Sequence, residues 1–432
     1  MTALVIRDVR LFDGVSDRAV ERATVTVAEG HVAEVVVGAV TPPRGARVVE
    51  GRGHTLLPGF VDMHSHCLSD LGARLYLANG VTAVRFAGND PDEVRALETR
   101  IEAGRVPGPR VFSLGPLLDG VSPDYPALSW PIVSAARARL AVERLAHDYR
   151  VAGIILTQKP SHEVARAAVD EAHRQGLGVT GQTWSLTASE AIALGFDGLE
   201  NTSRLPEAPR AVAEGRLLGY RTIPERAALL GRLWARADPR RLARLGHQMA
   251  RYATYLVPTL AGMDAICGLS TARIRRDADT RRLPAAARTD LFRWLVQRFF
   301  SSTWTRRDFA DWRRGMARYG AFIRRFARLG GRVLVGTDAL KPVPGFLYHA
   351  ELGRLGACGL PASAVLRAAT ASAADTLGRP DLGRIAPGAA ADLVLVRGNP
   401  LRRLADSRAI AAVVVRGRLY EPHTLLGKEA YP

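Results

Sequence analysis

The sequence predicts an α/β protein, a TIM-like (β/α)8 barrel joined to a small β-sandwich domain formed by both chain termini. Three observations predict it. Residues 3–55 break into short β-rich runs, Ala3-Leu4-Val5-Ile6 and Ala23-Thr24-Val25-Thr26-Val27 among them, with a turn signal at Glu29-Gly30 before Val32 to Val37. The closing stretch, Ala391 to Val396 and Ala411 to Val415, has the same character. Between them lies a long alternation of strand-like and helix-like segments. That order assigns residues 1–56 and 385–432 to the small β domain. Residues 57–384 fall to the barrel, with a helical insertion around 262–330.

The barrel strands follow in order. Turn residues Pro58-Gly59 lead into the first, Phe60 to His66, and Asn79-Gly80 into the second, Val81 to Phe86. Pro107-Gly108-Pro109 precedes the third, Arg110 to Ser113. The fourth is Gly153 to Leu156, the fifth Leu177 to Gln182 and the sixth Gly198 to Asn201. The seventh is Tyr255 to Thr259 and the eighth Val333 to Asp338. The stretch 201–330 holds more helix than a minimal barrel needs. In it Phe309, Trp312, Met316, Tyr319, Ile323 and Phe326 recur at steps of three and four, one apolar helix face that packs on the barrel. The less regular segment 262–305 is read as a lid over the pocket.

At 432 residues and 47% hydrophobic the chain is long enough to bury a large core. No apolar run reaches the roughly 18 residues of a spanning helix, and Met1 to Gly14 lacks the apolar core of a signal peptide. The expected setting is the cytoplasm, with no membrane partner. Cys67, Cys267 and Cys358 lie far apart without metal-cluster spacing, which fits reducing conditions. The formal charge of +18 invites a nucleic-acid reading, but the positive charge is not gathered in a stripe. Only Lys159, Lys341 and Lys428 of the 60 basic residues are lysines, a bias of composition. The expected partner is a small-molecule substrate, with no nucleic acid, and oligomerisation stays open.

Chemistry concentrates at Leu56-Leu57-Pro58-Gly59-Phe60-Val61-Asp62-Met63-His64-Ser65-His66. Residues i and i+2 of a strand share a face, so His64 and His66 project side by side and can share one metal ion. Lys159 lies four residues past Ile155, roughly 13 Å along a strand, and reads as a loop residue before Pro160. His162 lies nearby, His173 falls on the helix before the fifth strand, and His349 opens the helix after the eighth.

The run around His64 and His66 resembles the first barrel strand of the amidohydrolase superfamily. Similar motifs extend over nearly the whole chain: Asn79-Gly80-Val81-Thr82, Gly104 to Val111, Val257-Pro258-Thr259-Leu260, Gly336-Thr337-Asp338, Gly383 to Gly388, Ala391-Asp392-Leu393-Val394 and Asn399-Pro400-Leu401. Several are similar to the imidazolonepropionase and prolidase-like branch. The resemblance implies a hydrolase of amide or cyclic-amide bonds. It also implies a two-metal site of two histidines on strand one, a carboxylated lysine on strand four, histidines on strands five and six, and an aspartate on strand eight. His64, His66 and Asp338 match. Ile155 stands at the lysine, and Gln182 and Asn201 stand at the two later histidines.

These departures define a degenerate metal site. Isoleucine offers no donor atom, and a neutral amide oxygen is a poor zinc ligand beside imidazole. Two cations without a bridging anion repel. The expectation is at most one divalent ion, zinc first, on His64, His66 and Asp338, and the same reading admits none. Asp338 is the expected catalytic residue, with Ile155, Gln182 and Asn201 as pocket residues. Three functions stay open: a one-metal hydrolase of a carbon–nitrogen bond, a non-hydrolytic barrel enzyme of isomerase, cyclase or dehydratase type, and an inactive relative.

Overall fold

The computed structural model describes residues 3–38, 40–201, 222–269, 271–277, 280–281, 283–297, 300–340 and 344–426. Parts of the expected insertion and lid, residues 270, 278–279, 282 and 298–299, lie outside the described residues, as do 202–221. Among the described residues no helix is long and apolar enough to cross a membrane.

The two ends of the chain meet in one sheet. Strands β1 (Leu4–Leu11), β2 (Val20–Ala28), β3 (His31–Val37), β4 (Arg47–Glu50) and β5 (His54–Pro58) come from the N-terminal side. Strands β15 (Leu393–Arg397), β16 (Ile410–Val415) and β17 (Arg418–Tyr420) come from the C-terminal side. Their order is β17-β16-β15-β5-β1-β2-β3, with β4 paired to β1. A sandwich predicts two stacked sheets; the structure has one connected sheet that curls back on itself. Its edge strand β3 returns to the start of β15, where Val32 N–H donates to Ala389 O and Ala391 N–H to Gly30 O, each at 2.8 Å. Alternate apolar residues such as Ile6, Val25, Leu56, Leu393 and Val414 form its core. Asp392 ties this sheet to the rest. Its carboxylate accepts from Arg110 Nε at 2.6 Å, and its carbonyl accepts from Gly59 N–H at 2.7 Å.

The remaining strands are parallel and lie in two sheets. One contains β6 (Phe60–Ser65), β7 (Val81–Phe86) and β8 (Arg110–Ser113). The other contains β9 (Leu117–Asp119), β10 (Ser129–Pro131), β11 (Gly153–Gln158), β12 (Gly178–Thr183), β13 (Gly198–Glu200) and β14 (Tyr255–Val257) in the order β10-β9-β11-β12-β13-β14. Parallel strands covered by helices are buried on both faces and read as near-continuous apolar runs, which is why β6 and β7 are buried at every residue.

The third expected strand divides. β8 pairs with β7, then the chain turns at Leu114-Gly115-Pro116, with Gly115 at φ 67°, and continues as β9 against β11. Glycine at a positive φ followed by proline, which cannot donate to a ladder, breaks the strand at this point. Ala152 N–H to Ser113 O at 2.8 Å still bridges the two sheets.

The eighth expected strand, Val333 to Asp338, is not a regular strand. Its backbone makes isolated bridges on both sides: Leu256 N–H to Arg332 O at 2.9 Å, Met63 N–H to Val335 O at 2.9 Å and Asp338 N–H to His64 O at 2.8 Å. Segment 332–339 therefore lies between β14 and β6 without a continuous ladder to either. The strand-four run extends two residues further than expected, and the sixth and seventh end before Asn201 and Thr259. The expected apolar helix is Arg306–Arg328, with Trp312, Tyr319, Ile323 and Phe326 buried.

Gly336 sits where β6 and β14 crowd segment 332–339. A Cβ there would lie 2.5 Å from Val257 Cγ1 and 2.9 Å from His64 Cβ. Gly336→Ala is expected to destabilise the fold by about 1–3 kcal/mol through overpacking. An unchanged urea midpoint would count against this packing.

Candidate active site

A charged residue inside a fully buried parallel strand needs a partner. Strand β6 carries two polar residues of this kind. Asp62 accepts from Thr337 Oγ1 at 2.7 Å, Thr337 N–H at 3.0 Å and His64 N–H at 3.2 Å. Burial nonetheless pushes its carboxyl up to about 7. This latch fixes segment 332–339 against β6 and so sets Asp338 relative to His64.

The second is His64. Its Nδ1 bonds the Glu200 carboxylate at the end of β13. Glu200 in turn bonds the Arg85 guanidinium from β7 and accepts from Thr180 Oγ1 at 2.8 Å. Arg85 also donates to Met63 O at 2.7 Å and Tyr255 OH at 2.9 Å. Burial pushes the Glu200 carboxyl up, but Arg85 and His64 outweigh it and hold the carboxyl at about 2. Burial likewise pushes the His64 imidazole down, yet the Glu200 and Asp338 carboxylates leave its pKa above the ordinary value.

With Nδ1 committed to Glu200, His64 Nε2 faces the strand ends. It lies 3.2 Å from His66 Nε2 and 3.7 Å from Asp338 Oδ1, and His66 Nε2 lies 3.2 Å from the same oxygen. The three groups offer ligand atoms within 4.8 Å of one another. Two imidazole nitrogens at such a distance need a proton or a cation between them. Nitrogens sharing a tetrahedral zinc at 2.0–2.1 Å stand roughly 3.3 Å apart, so the donor set fits a single zinc-sized ion. The carboxylate on His64 Nδ1 is the outer partner that metal-bound histidines usually have.

The positions lacking family ligands are filled differently. Ile155 packs with Ala87, Leu114 and Leu117 and is fully buried. Asn201 Nδ2 donates to Gln182 Oε1 at 2.6 Å, and Asn201 Oδ1 accepts from Thr259 Oγ1 at 2.7 Å. Asn201 Nδ2 also lies 3.5 Å from Asp338 Oδ2. Both amide oxygens, the only ligand atoms these residues could offer, are thus engaged.

The register stacks the site in two layers. Ile155 pairs with Leu117 on one side and Thr180 on the other. Two residues along, Thr157 pairs with Gln182, and Asp119 stands two residues beyond Leu117 on the same face. Around the mouth four non-glycine residues take left-handed backbone: Gln158 at φ 52°, Asn201 at 58°, Thr259 at 46° and Asp338 at 51°. Such conformations store about 1–3 kcal/mol each, and β-branched Thr259 is an outlier there.

Residue-by-residue reading placed His64, His66, Asp338, Gln182 and Asn201 here, and the structure brings these five together. Lys159 instead pairs with Asp124 at 2.6 Å in a loop. His162 opens the helix His162–Arg174, and His173 near its end faces Asp197 at 3.1 Å. His349 lies inside the Pro344–Ala357 helix instead of opening it, and its Nε2 bonds Asn79 O at 3.1 Å. Burial pushes His349 down to about 3, which makes it a neutral packing residue. The reading missed Arg85, Glu200 and Thr180. Arg85 and Glu200 had a signal, a single charge in each of the runs Val81 to Phe86 and Gly198 to Glu200, whereas Thr180 had none.

Parallel strands that present an imidazole pair and a carboxylate beyond their C-terminal ends define an α/β protein with its chemistry in the usual place for such folds. The chain belongs to the Amidohydrolase family, whose profile matches residues 55–420. An uncharacterised protein of Mycobacterium bovis is 34% identical over 136 residues, 29% of this chain and 21% of its own length. An adenine deaminase of Deinococcus deserti is 39% identical over 124 residues, 26% of this chain and 21% of its own. The chain thus spans about a fifth of the length of these curated relatives. Among solved structures, a Xaa-Pro dipeptidase with bound methionine superposes with a TM-score of 0.69 at 21% identity, covering 97% of this chain and 100% of that one. A putative prolidase from Bifidobacterium longum gives 0.70 at 22%, covering 100% and 99%. The bottromycin amidohydrolase gives 0.72 at 23%, covering 98% and 87%. These three likenesses are of fold.

Glu200→Gln removes the partner of a buried guanidinium. It is expected to lower the unfolding free energy by about 3–5 kcal/mol, the usual effect of breaking a buried pair. Urea denaturation with an unchanged midpoint would contradict this role.

Proposed function

We propose that this protein hydrolyses a carbon–nitrogen bond, amide or cyclic amide, in a small molecule, with at most one divalent ion, zinc first, on His64, His66 and Asp338. The observation that carries the reading is the convergence of those three ligand atoms while Glu200 holds the far nitrogen of His64. The names of relatives and neighbours, adenine deaminase and Xaa-Pro dipeptidase, both describe cleavage of a carbon–nitrogen bond. The proposal includes a (β/α)8 barrel over 57–384 with a helical insertion around 262–330. It keeps 1–56 with 385–432 as the small domain and the cytoplasm as the setting. The bridges from segment 332–339 to both β14 and β6 support a closed ring.

His64, His66 and Asp338 would hold the ion, which would supply an acidified water and a Lewis acid for the scissile carbonyl. The protein's part is to hold and move protons. Glu200 keeps the His64 proton on Nδ1 and its Nε2 lone pair toward the cluster. Asp338 takes a proton from water as the carbon–oxygen bond forms and returns it to the leaving nitrogen as the carbon–nitrogen bond breaks. Asn201, fixed by Gln182 and Thr259, steadies the other Asp338 oxygen.

One observation favours a second reading. His66 Nε2 and Asp338 Oδ1 at 3.2 Å already form an acid–base pair that needs no ion. In that case the pair serves non-hydrolytic barrel chemistry.

The test screens small amides, cyclic amides and aminopurines with zinc-loaded protein, then compares Asp338→Asn on whichever is turned over. The variant keeps the shape and removes the charge, and turnover is expected to fall at least about 10²-fold with the fold intact. A folded variant with full turnover would leave Asp338 as a structural residue and end the proposal.

A further inference from the structure

Buried polar atoms are nearly always hydrogen-bonded, and those that are not call for an explanation. Among the described residues, four unpartnered buried atoms fall on the ends of neighbouring strands at the mouth. They are His66 Nδ1 after β6, Asn89 Oδ1 after β7, Asp119 Oδ2 at the end of β9 and Thr157 Oγ1 near the end of β11. Asn89 is tied to the cluster, since its Nδ2 donates to His66 O at 3.2 Å. Asp119 and Thr157 belong to the same mouth layer as Gln182. On the other half of the mouth Gln182, Asn201 and Thr259 satisfy one another. Among the strand-end residues described, the unmet hydrogen-bonding capacity therefore lies on one side.

Its chemistry is specific. Asn89 Oδ1 can only accept, Asp119 Oδ2 can only accept when its carboxyl is ionised, and Thr157 Oγ1 accepts as well as donates. Asp119 Oδ1 already accepts from Gly120 N–H at 2.7 Å and Lys159 N–H at 2.9 Å, which aligns the carboxylate and leaves Oδ2 over. Asp119 makes no ion pair within 4 Å among the described residues, and burial pushes its carboxyl up to about 6 against the lowering effect of the Lys159 and Gly120 backbone N–H groups. Leaving such groups unmet costs about 1–3 kcal/mol each, more for a charge.

Resting on the hydrolase reading above, we propose that Asp119, with Thr157 and Asn89, forms the recognition subsite for an N–H-rich, cationic group of the substrate, an amine or amidine. Asp119 is a specificity residue in this scheme: its free oxygen accepts an N–H, and its charge selects cation over neutral or anionic isosteres. Thr157 supplies a second acceptor beside it. The reacting bond lies toward His66 and Asp338, with the cationic group toward strands β9 and β11.

Calorimetry on the zinc-loaded protein with benzamidine as probe, and benzamide and benzoate as its neutral and anionic counterparts, tests this. The expected result is one benzamidine per chain, bound at least about tenfold more tightly than either counterpart. Asp119→Asn keeps the Oδ1 acceptor for Gly120 and Lys159, so the fold persists, and the preference for benzamidine should disappear. Thr157→Val should weaken benzamidine about threefold or more. Zinc content should not change in either variant, which separates failure of this subsite from failure of the metal reading. A wild-type protein that does not discriminate among the three probes overturns the proposal. So does a folded Asp119→Asn protein that keeps the discrimination, because a purely structural carboxylate would shift the melting temperature and not the selectivity.

Discussion

The structure depends on one buried carboxylate. Glu200 lies between the Arg85 guanidinium and the His64 imidazole, and the network they form spans residues of five parallel strands. They are His64 and Met63 on β6, Arg85 on β7, Thr180 on β12, Glu200 itself on β13 and Tyr255 on β14. Removing ions from water is unfavourable unless each is paired and its remaining hydrogen bonds are met. Here the guanidinium reaches a carboxylate, a carbonyl and a phenol, and the carboxylate reaches a guanidinium, an imidazole and a hydroxyl. The network leaves His64 one free nitrogen, aimed at the mouth. The arrangement of the strands and the orientation of the histidine are one constraint.

Above that layer the mouth is asymmetric. Toward β12 to β14 the expected ligands are amides that hydrogen-bond to one another and to Thr259, so their oxygens are spent within the protein. Toward β6 to β11 an isoleucine fills the position of the bridging group, and polar atoms above it lack partners. A second cation would find no bridging anion at Ile155, and the amide oxygens at Gln182 and Asn201 are already engaged. The left-handed backbone at Gln158, Asn201, Thr259 and Asp338 shows that the surrounding packing holds the mouth in one shape against local preference.

Much of this was legible in the chain. His64, His66 and Asp338 could be read because each sits at the end of a short apolar run, where strand parity fixes direction. Ile155, Gln182 and Asn201 were found by aligning the fourth, fifth and sixth strands with the pattern of the family the chain resembles. Local pattern says less about long-range partners. Arg85 and Glu200 are 115 residues apart, and nothing near either names the other; the clue was only that a charge stood in a buried run. Segment 332–339 reads as a strand from its valines, yet Gly336 and the Asp62 latch draw it into single bridges instead of a ladder. The third strand divides because Gly115-Pro116 outweighs the apolar residues on either side. The two-layer sandwich became one curled sheet because the pairing of its edge, β3 with residues before β15, joins segments far apart in the chain.

The central claim is that this site holds a single cation position. The most direct measurement is elemental analysis of protein loaded with excess zinc and dialysed to equilibrium. The account predicts no more than one zinc ion per chain. A value close to two would contradict it, because it would require ligands that Ile155, Gln182 and Asn201 do not supply.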